Sequence, residues 1–316
     1  MTVVAEVVRS GFVESVHAGV VLAVDAAGTR RVAVGEVDAL VFPRSCNKPM
    51  QAVALLRLGI VEKFGLEPRH VAIAAASHSG EQAHVDLVRD LLARADVPES
   101  ALACPHEAPL DVIAAAAILA RGAEPGRIHH NCSGKHSAML AACAAAGWPL
   151  EGYRSAEHPL QRHVRSVVEE LTGERVSAVG VDGCGAPVFA LSLAGVCRGY
   201  AAIITAADGS AERAVADAMR AHPDVVGGTG RDVTQLMSAV PGLLAKDGAE
   251  GCYAAALPDG AAVALKIADG AARARVPVLV AALRALGVAG LPVSLVTLPV
   301  LGGGERVGDV RPAPLG

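Results

Sequence analysis

Residues 1–34 read MTVVAEVVRSGFVESVHAGVVLAVDAAGTRRVAV, and this stretch decides the fold class. Residues 3–9, 19–25 and 31–34 are rich in valine, and Ala26-Ala27-Gly28-Thr29 between the last two is a hairpin signal. The chain therefore opens as a β-meander and not as a strand–helix–strand unit. Beyond it, apolar residues at helical spacing predict helices at 49–58, 81–95, 109–121, 133–146, 159–171 and 210–222. Strands follow at 177–181, 251–256 and 261–267, then a long helix at 273–286 and a closing strand at 306–311. Strands, a helical middle, then strands again give an α+β fold, with a mixed or antiparallel sheet built from both chain ends. The expected organisation is a single unit of two interlocked subdomains, 1–45 plus 175–316 around the sheet and 46–174 mostly helical.

Composition narrows the function. The 316 residues carry 28 Lys+Arg against 32 Asp+Glu, a formal charge of −4, which excludes a basic nucleic-acid-binding surface. With 52% hydrophobic residues the chain can bury a large core, and disorder is excluded. The mean hydropathy of +0.41 raises the question of a membrane span. However, the most apolar stretch, 276–301, contains Arg284, Gly287, Gly290 and three prolines, so it reads as a buried helix followed by a strand. The opening Met1-Thr2-Val3-Val4-Ala5-Glu6 lacks a secretory pattern, and an odd count of seven cysteines favours reduced thiols. A cytoplasmic protein is expected. The apolar fraction also makes a homodimer plausible.

Of the 28 basic residues only five are lysines, at 48, 63, 135, 246 and 266. Where arginine serves nearly everywhere, a retained lysine can mark a site that needs an amine able to lose its proton, and Lys48, Lys135 and Lys266 are the candidates. Ser45-Cys46-Asn47-Lys48 is a Ser-x-x-Lys at the head of a predicted helix, where residues three apart share a face and a neutral amine can take the serine proton. Ser77-His78-Ser79-Gly80-Glu81 can aim hydroxyls and N–H groups at an anion or oxyanion, or can simply cap the helix that follows. Residues 129–137 (HHNCSGKHS) hold no aliphatic side chain, a polar density that is costly to bury without a role. Asp182-Gly183-Cys184-Gly185-Ala186-Pro187 lies at a predicted strand end. Cys132 and Cys184, with Asp182 or Lys135, offer metal-ligand atoms, although without zinc-motif spacing, and structural cysteines are the alternative. Gly227-Gly228-Thr229-Gly230-Arg231 places an arginine to grip a carboxylate or forms a plain turn. Lys266, between Leu265 and Ile267, enters the site or faces solvent.

These segments together resemble the type II L-asparaginase family of the thermolabile, rhizobial kind, distinct from the threonine-nucleophile bacterial asparaginases. The resemblance rests on Arg9-Ser10-Gly11 with Val13-Glu14 and His17, Arg44-Ser45 and Lys48-Pro49 with Gln51-Ala52, residues 76–81, 130–136, 182–187 and 228–231, Glu250-Gly251, and 264–270. It implies a beta-lactamase/glutaminase-like fold and hydrolysis of L-asparagine, a small-molecule amino-acid amide, to L-aspartate and ammonia. Under this resemblance Ser45 and Lys48 form a catalytic pair, with Ser45 the nucleophile. Ser77 and Lys266 are a second serine and lysine of the same pocket, Ser77 as alternate nucleophile or proton relay. Cys132, Lys135 and Cys184 match positions that hold zinc, with Asp182 beside them, and no organic cofactor is implied. Glu14, His78, Asp182 and Arg231 are the candidate substrate-binding residues. A glutaminase, another serine amidohydrolase and a non-catalytic amino-acid-binding homologue are the competing readings. One departure stands out: after Arg231 the family has an aromatic residue and then Asp-Thr, whereas this chain has Asp232-Val233-Thr234.

Overall fold

In the computed structural model, which describes residues 2–315, β1 (Thr2–Arg9) and β2 (Phe12–Val24) meet at Ser10-Gly11. Both turn residues have positive φ, 48° and 82°, as a two-residue hairpin of primed type requires. β2 starts seven residues before the predicted stretch at 19–25, because register shifts in the β1–β2 ladder absorb the uneven polar pattern ahead of it. At Asp25 the chain reverses, with the carboxylate accepting the N–H groups of Ala27 and Thr29, and enters β3 (Arg30–Val34).

A helical turn at Arg44–Asn47 leads into α1 (Lys48–Leu56), followed by α2 (Ile60–Phe64), α3 (Pro68–Ala74), α4 (Gln82–Arg94), α5 (Val112–Ala120), α6 (Ser133–Ala146) and α7 (Pro159–Thr172). A separate two-stranded ribbon, β4 (Val179–Val181) with β5 (Pro187–Phe189), precedes α8 (Leu193–Ile204), α9 (Ala211–Ala221), α10 (Pro223–Val226) and α11 (Asp232–Ala239). The chain then returns to the sheet through β6 (Leu244–Asp247), β7 (Cys252–Ala256) and β8 (Ala262–Ile267), and closes with α12 (Ala272–Ala285), α13 (Val293–Val296), β9 (Leu298–Gly302) and β10 (Glu305–Pro312).

The main sheet runs β6-β7-β8-β2-β1-β10-β9, with β3 paired to the far half of β2, and every neighbouring pair is antiparallel. N-terminal strands occupy its centre and C-terminal strands both wings, so the fold is α+β with a sheet assembled from both chain ends. All residues of β6 and β7 are buried, and α8 and α12 both pack on this part of the sheet. In the helical layer α6 packs against α1, α3 and α4. The helices α9 and α10 pack on α3, so residues 211–226 join the helical layer although they lie in the 175–316 segment. One continuous hydrophobic cluster runs from sheet to helices. Among the described residues no helix is long and apolar enough to cross a membrane.

Candidate active site

Three polar segments converge where the helical layer meets the β6 edge of the sheet. Ahead of α1, Arg44 takes a positive φ of 52°, a conformation costing a non-glycine residue about 1 kcal/mol or more. The strain is held by a 2.8 Å bond from its guanidinium Nε to Asp182, and it sets the direction in which Ser45 leaves the chain. The segment 77–80 is strung between two others: Ser77 N–H donates to Val226 O, His78 N–H to Asn131 O, and Ser79 Oγ to Gly227 O. Ser45, Ser77, Leu110, Asn131, Arg231, Asp247, Ala249 and Arg275 line the resulting pocket of about 190 Å³, below the range of drug-sized sites. A roomier hollow of about 380 Å³ beside the Asp25 turn is lined by no serine, lysine or histidine.

Behind the pocket lie two buried lysines. Lys48 Nζ donates to Ala76 O at 2.6 Å and to Ser77 Oγ at 2.8 Å, so its amine is engaged with Ser77 and not with Ser45, three residues earlier in its own segment. Lys246, on β6, is wholly buried and donates to the backbone carbonyl of Asp247 at 2.8 Å and to its carboxylate Oδ1 at 2.5 Å. Burial lowers the Lys246 pKa, the Asp247 carboxylate opposes this, and the nearby charge of Lys48 adds to the lowering. Asp247 also accepts from Arg231 Nη2 at 2.8 Å. Burial would raise its pKa, but Lys246, Arg275 and Arg231 outweigh that and hold the carboxyl well below the usual range.

A second cluster adjoins Asn131. Cys132 precedes α6, Lys135 stands in its first turn, and both are buried because α6 enters the core at its N-terminus. The entry is possible because residue 134 is glycine: a Cβ there would sit 2.4 Å from Ile73 O on α3. Lys135 Nζ donates to Cys184 Sγ at 3.2 Å. The Cys132 thiol, against the opposing effect of burial, and then Lys135 and His136 pull the Cys184 pKa far below the usual thiol value. His136 bonds Tyr153 through Nδ1 while its buried Nε2 has no partner. No group of three His, Cys, Asp or Glu side chains among the described residues is placed to hold a metal. Two sulfurs and an amine are nevertheless brought together, the donor types that the resemblance assigns to zinc, with Lys135 donating to Cys184 a proton it would have to give up to bind the ion.

Several sequence candidates stand elsewhere. Lys266 donates to Glu250 O and does not line the pocket, because its register opposite Cys252 on β7 carries the amine to the β7 turn. Glu14 is exposed on β2 in an ion pair with Arg9. His78 is wholly buried, bonded to Ser133 Oγ at 2.9 Å and stacked on His84, which makes it a packing residue of the loop. Asp182 is taken by Arg44 and by Gly183 N–H, close to Cys184 in sequence but outside the pocket lining. Two pocket groups go unread in the sequence, Asp247 and Arg275, as does Lys246 behind them. The signal for the first and last was a charged pair, Lys246-Asp247, directly after the apolar Leu243-Leu244-Ala245.

No curated protein matches the chain. The family model described as L-asparaginase II matches residues 5–312, a span that includes every residue of the pocket and of the sulfur cluster, and the chain belongs to the L-asparaginase II family.

Proposed function

We propose that the protein is an L-asparaginase that releases ammonia from the side-chain amide of L-asparagine through a serine served by buried lysines. The observation that carries this reading is the 2.8 Å contact between Lys48 Nζ and Ser77 Oγ behind a pocket that Ser45 also lines. Membership of the family supports an asparaginase, an amide hydrolase. The antiparallel sheet built from both chain ends, with the Ser-x-x-Lys on the helical layer beside it, supports a beta-lactamase/glutaminase-like relation.

Ser45 Oγ attacks the amide carbon, while its proton passes through the Ser77 hydroxyl to the Lys48 amine. The tetrahedral oxyanion is stabilised by backbone N–H groups of the pocket loops. The lysine returns the proton to the leaving nitrogen, ammonia departs, and water then hydrolyses the acyl-serine ester by the same route to give L-aspartate. Lys246 holds the Asp247 carboxylate in the pocket wall. Cys132, Lys135 and Cys184 would hold a zinc ion, which when bound would supply a Lewis-acidic centre behind the Asn131 wall.

Ammonia release from L-asparagine and L-glutamine tests the reading, with Ser45→Ala and Ser77→Ala run alongside. Asparagine turnover that Ser45→Ala abolishes is expected. A Ser45→Ala protein with near-full activity overturns the nucleophile assignment. A folded protein inert toward both amides overturns the activity. Preference for glutamine would shift the reading to a glutaminase, since one methylene is worth only about 1–3 kcal/mol.

A further inference from the structure

Charged, amide and hydroxyl side chains make up most of the pocket wall. Leu110 and Ala249 are the apolar exceptions among the lining residues, and Leu110, the larger, is 48% exposed. A leucine this open at a polar rim is covered when a ligand enters. The part of an amide substrate suited to cover it is the methylene chain behind the carbonyl that Ser45 must reach. Leu110 is delivered by a strap, residues 104–111, fixed at both ends. At its start Arg127 Nη1 donates to Cys104 O at 2.6 Å, and Cys104 Sγ donates to Arg127 O at 3.3 Å. At its end Asp111 N–H donates to Ser79 O at 2.8 Å, and Pro109 packs so tightly on Gly80 that a Cβ there would sit 2.9 Å from Pro109 Cβ. Between these anchors no backbone group of residues 105–110 is hydrogen-bonded among the described residues. The strap is tied down there by Glu107, whose Oε2 lies 3.2 Å from His130 Nε2. His130 is buried, and its Nδ1 accepts the Cys132 N–H at 2.9 Å, so the neutral ring carries its proton on Nε2, the nitrogen beside Glu107. The following helix α5 is a poor anchor, since Ile118 alone of its nine residues is buried.

We propose that Leu110 is the wall that limits the substrate's chain length, discriminating against amides one methylene longer than asparagine, and that Glu107 is the positioning residue that holds it in place through His130. This rests on the amidohydrolase reading and assigns the specificity of that site to the strap. With Leu110 seated, the pocket of about 190 Å³ closes on a single side-chain methylene. A second methylene has to push the strap outward against the Glu107–His130 contact, and the proton on the buried Nε2 then loses its partner. Discrimination by one methylene against an apolar wall amounts to about 10- to 200-fold. Truncating the wall or releasing its tie therefore admits the longer amide, a gain that loss of stability cannot produce.

The test is the ratio of kcat/KM for L-asparagine to that for L-glutamine, read as ammonia release. The unmodified protein is expected to favour asparagine by about 10-fold or more, and Leu110→Ala to lower that ratio by about 10-fold. Glu107→Ala is expected to lower it by about threefold or more, through a gain on glutamine, whereas Glu107→Gln, which keeps an oxygen beside His130 Nε2, restores the parental ratio. An unmodified protein that turns over both amides about equally or prefers glutamine overturns the wall while leaving the amidase reading intact, and this arm needs no variant to fold. A Leu110→Ala ratio within about twofold of the parent does the same. Loss on both amides in Glu107→Ala with no change in ratio removes Glu107 from the assignment. If neither amide releases ammonia, the amidase reading fails. Calorimetric binding of L-aspartate and L-glutamate then decides: tighter binding of aspartate that Leu110→Ala evens out upholds the wall, and equal or absent binding overturns it.

Discussion

The amine that meets a serine is that of Lys48, and Lys246 stands behind it on β6 as the cation that holds Asp247 in the pocket wall. It is wholly buried, and its pKa is pushed down first by that burial, against the Asp247 carboxylate, and then by the charge of Lys48. Lys246→Met frees Asp247 from its closest cation and is expected to lower kcat/KM for asparagine by about 100-fold, the scale of a misplaced pocket group. Lys266→Met is expected to change it less than about threefold, since that amine holds the Glu250 carbonyl at the β7 turn. Equal losses in the two variants would put Lys266 back in the mechanism. From five lysines the sequence reading selects Lys48, Lys135 and Lys266 and passes over Lys246. Lys246 and Lys266 both lie on strands, and burial at a strand position depends on what the neighbouring strands and helices cover. Ser45, Ser77, Lys48 and Arg231 were legible because each sits in a short polar knot within apolar sequence. Arg275 was not, because an arginine in the first turn of a helix looks like a solvated one until Tyr253, Asp232 and Asp247 are placed around it.

α6 shows how one element carries a site into the core. Its bounds, Ser133–Ala146, coincide with the periodicity in the sequence, and its polar first turn is satisfied locally: Ser133 Oγ donates to Ile128 O and Ser137 Oγ to Gly134 O. Close packing on α3 depends on residue 134 having no side chain. In Gly134→Ala the new methyl would meet Ile73 O at 2.4 Å and Ile73 Cγ1 at 2.5 Å, so α6 and α3 must separate. Overpacking of this kind costs about 1–3 kcal/mol. Because Cys132 and Lys135 flank the contact, we expect Gly134→Ala to lower the melting temperature and to reduce zinc retained after purification on zinc-supplemented medium. A variant as stable as the parent would show that the two helices separate freely. The helices α6 and α7 were readable because each spans about four turns. β6 was not, because four residues ending at a glycine carry too few alternations to register, and only pairing with β7 defines the strand.

At the scale of the whole molecule, burying so many polar side chains ties stability to pH. His78 and His136 are wholly buried and His84 largely so; burial is the main force lowering the pKa of all three, that of His136 from 6.5 to about 4. A histidine whose folded pKa is depressed takes up its proton more readily in the unfolded chain. Stability is therefore fullest above the unfolded value near 6.5 and is lost as pH falls below it. For His136 alone the loss reaches about 2 kcal/mol by pH 5. Asp247 adds a later loss of the same sign, because its depressed carboxyl favours the folded state only above the unfolded value near 4. The melting temperature should thus drop by several degrees between pH 7 and pH 5, before carboxylates titrate, and more steeply below pH 4. His78→Asn should melt lower at pH 7 but show a shallower decline between pH 7 and pH 5, since one buried neutral imidazole is gone. A melting temperature flat from pH 7 to pH 5 would mean that the buried histidines gain compensating partners on protonation, and Asp247 would then carry the acid sensitivity alone.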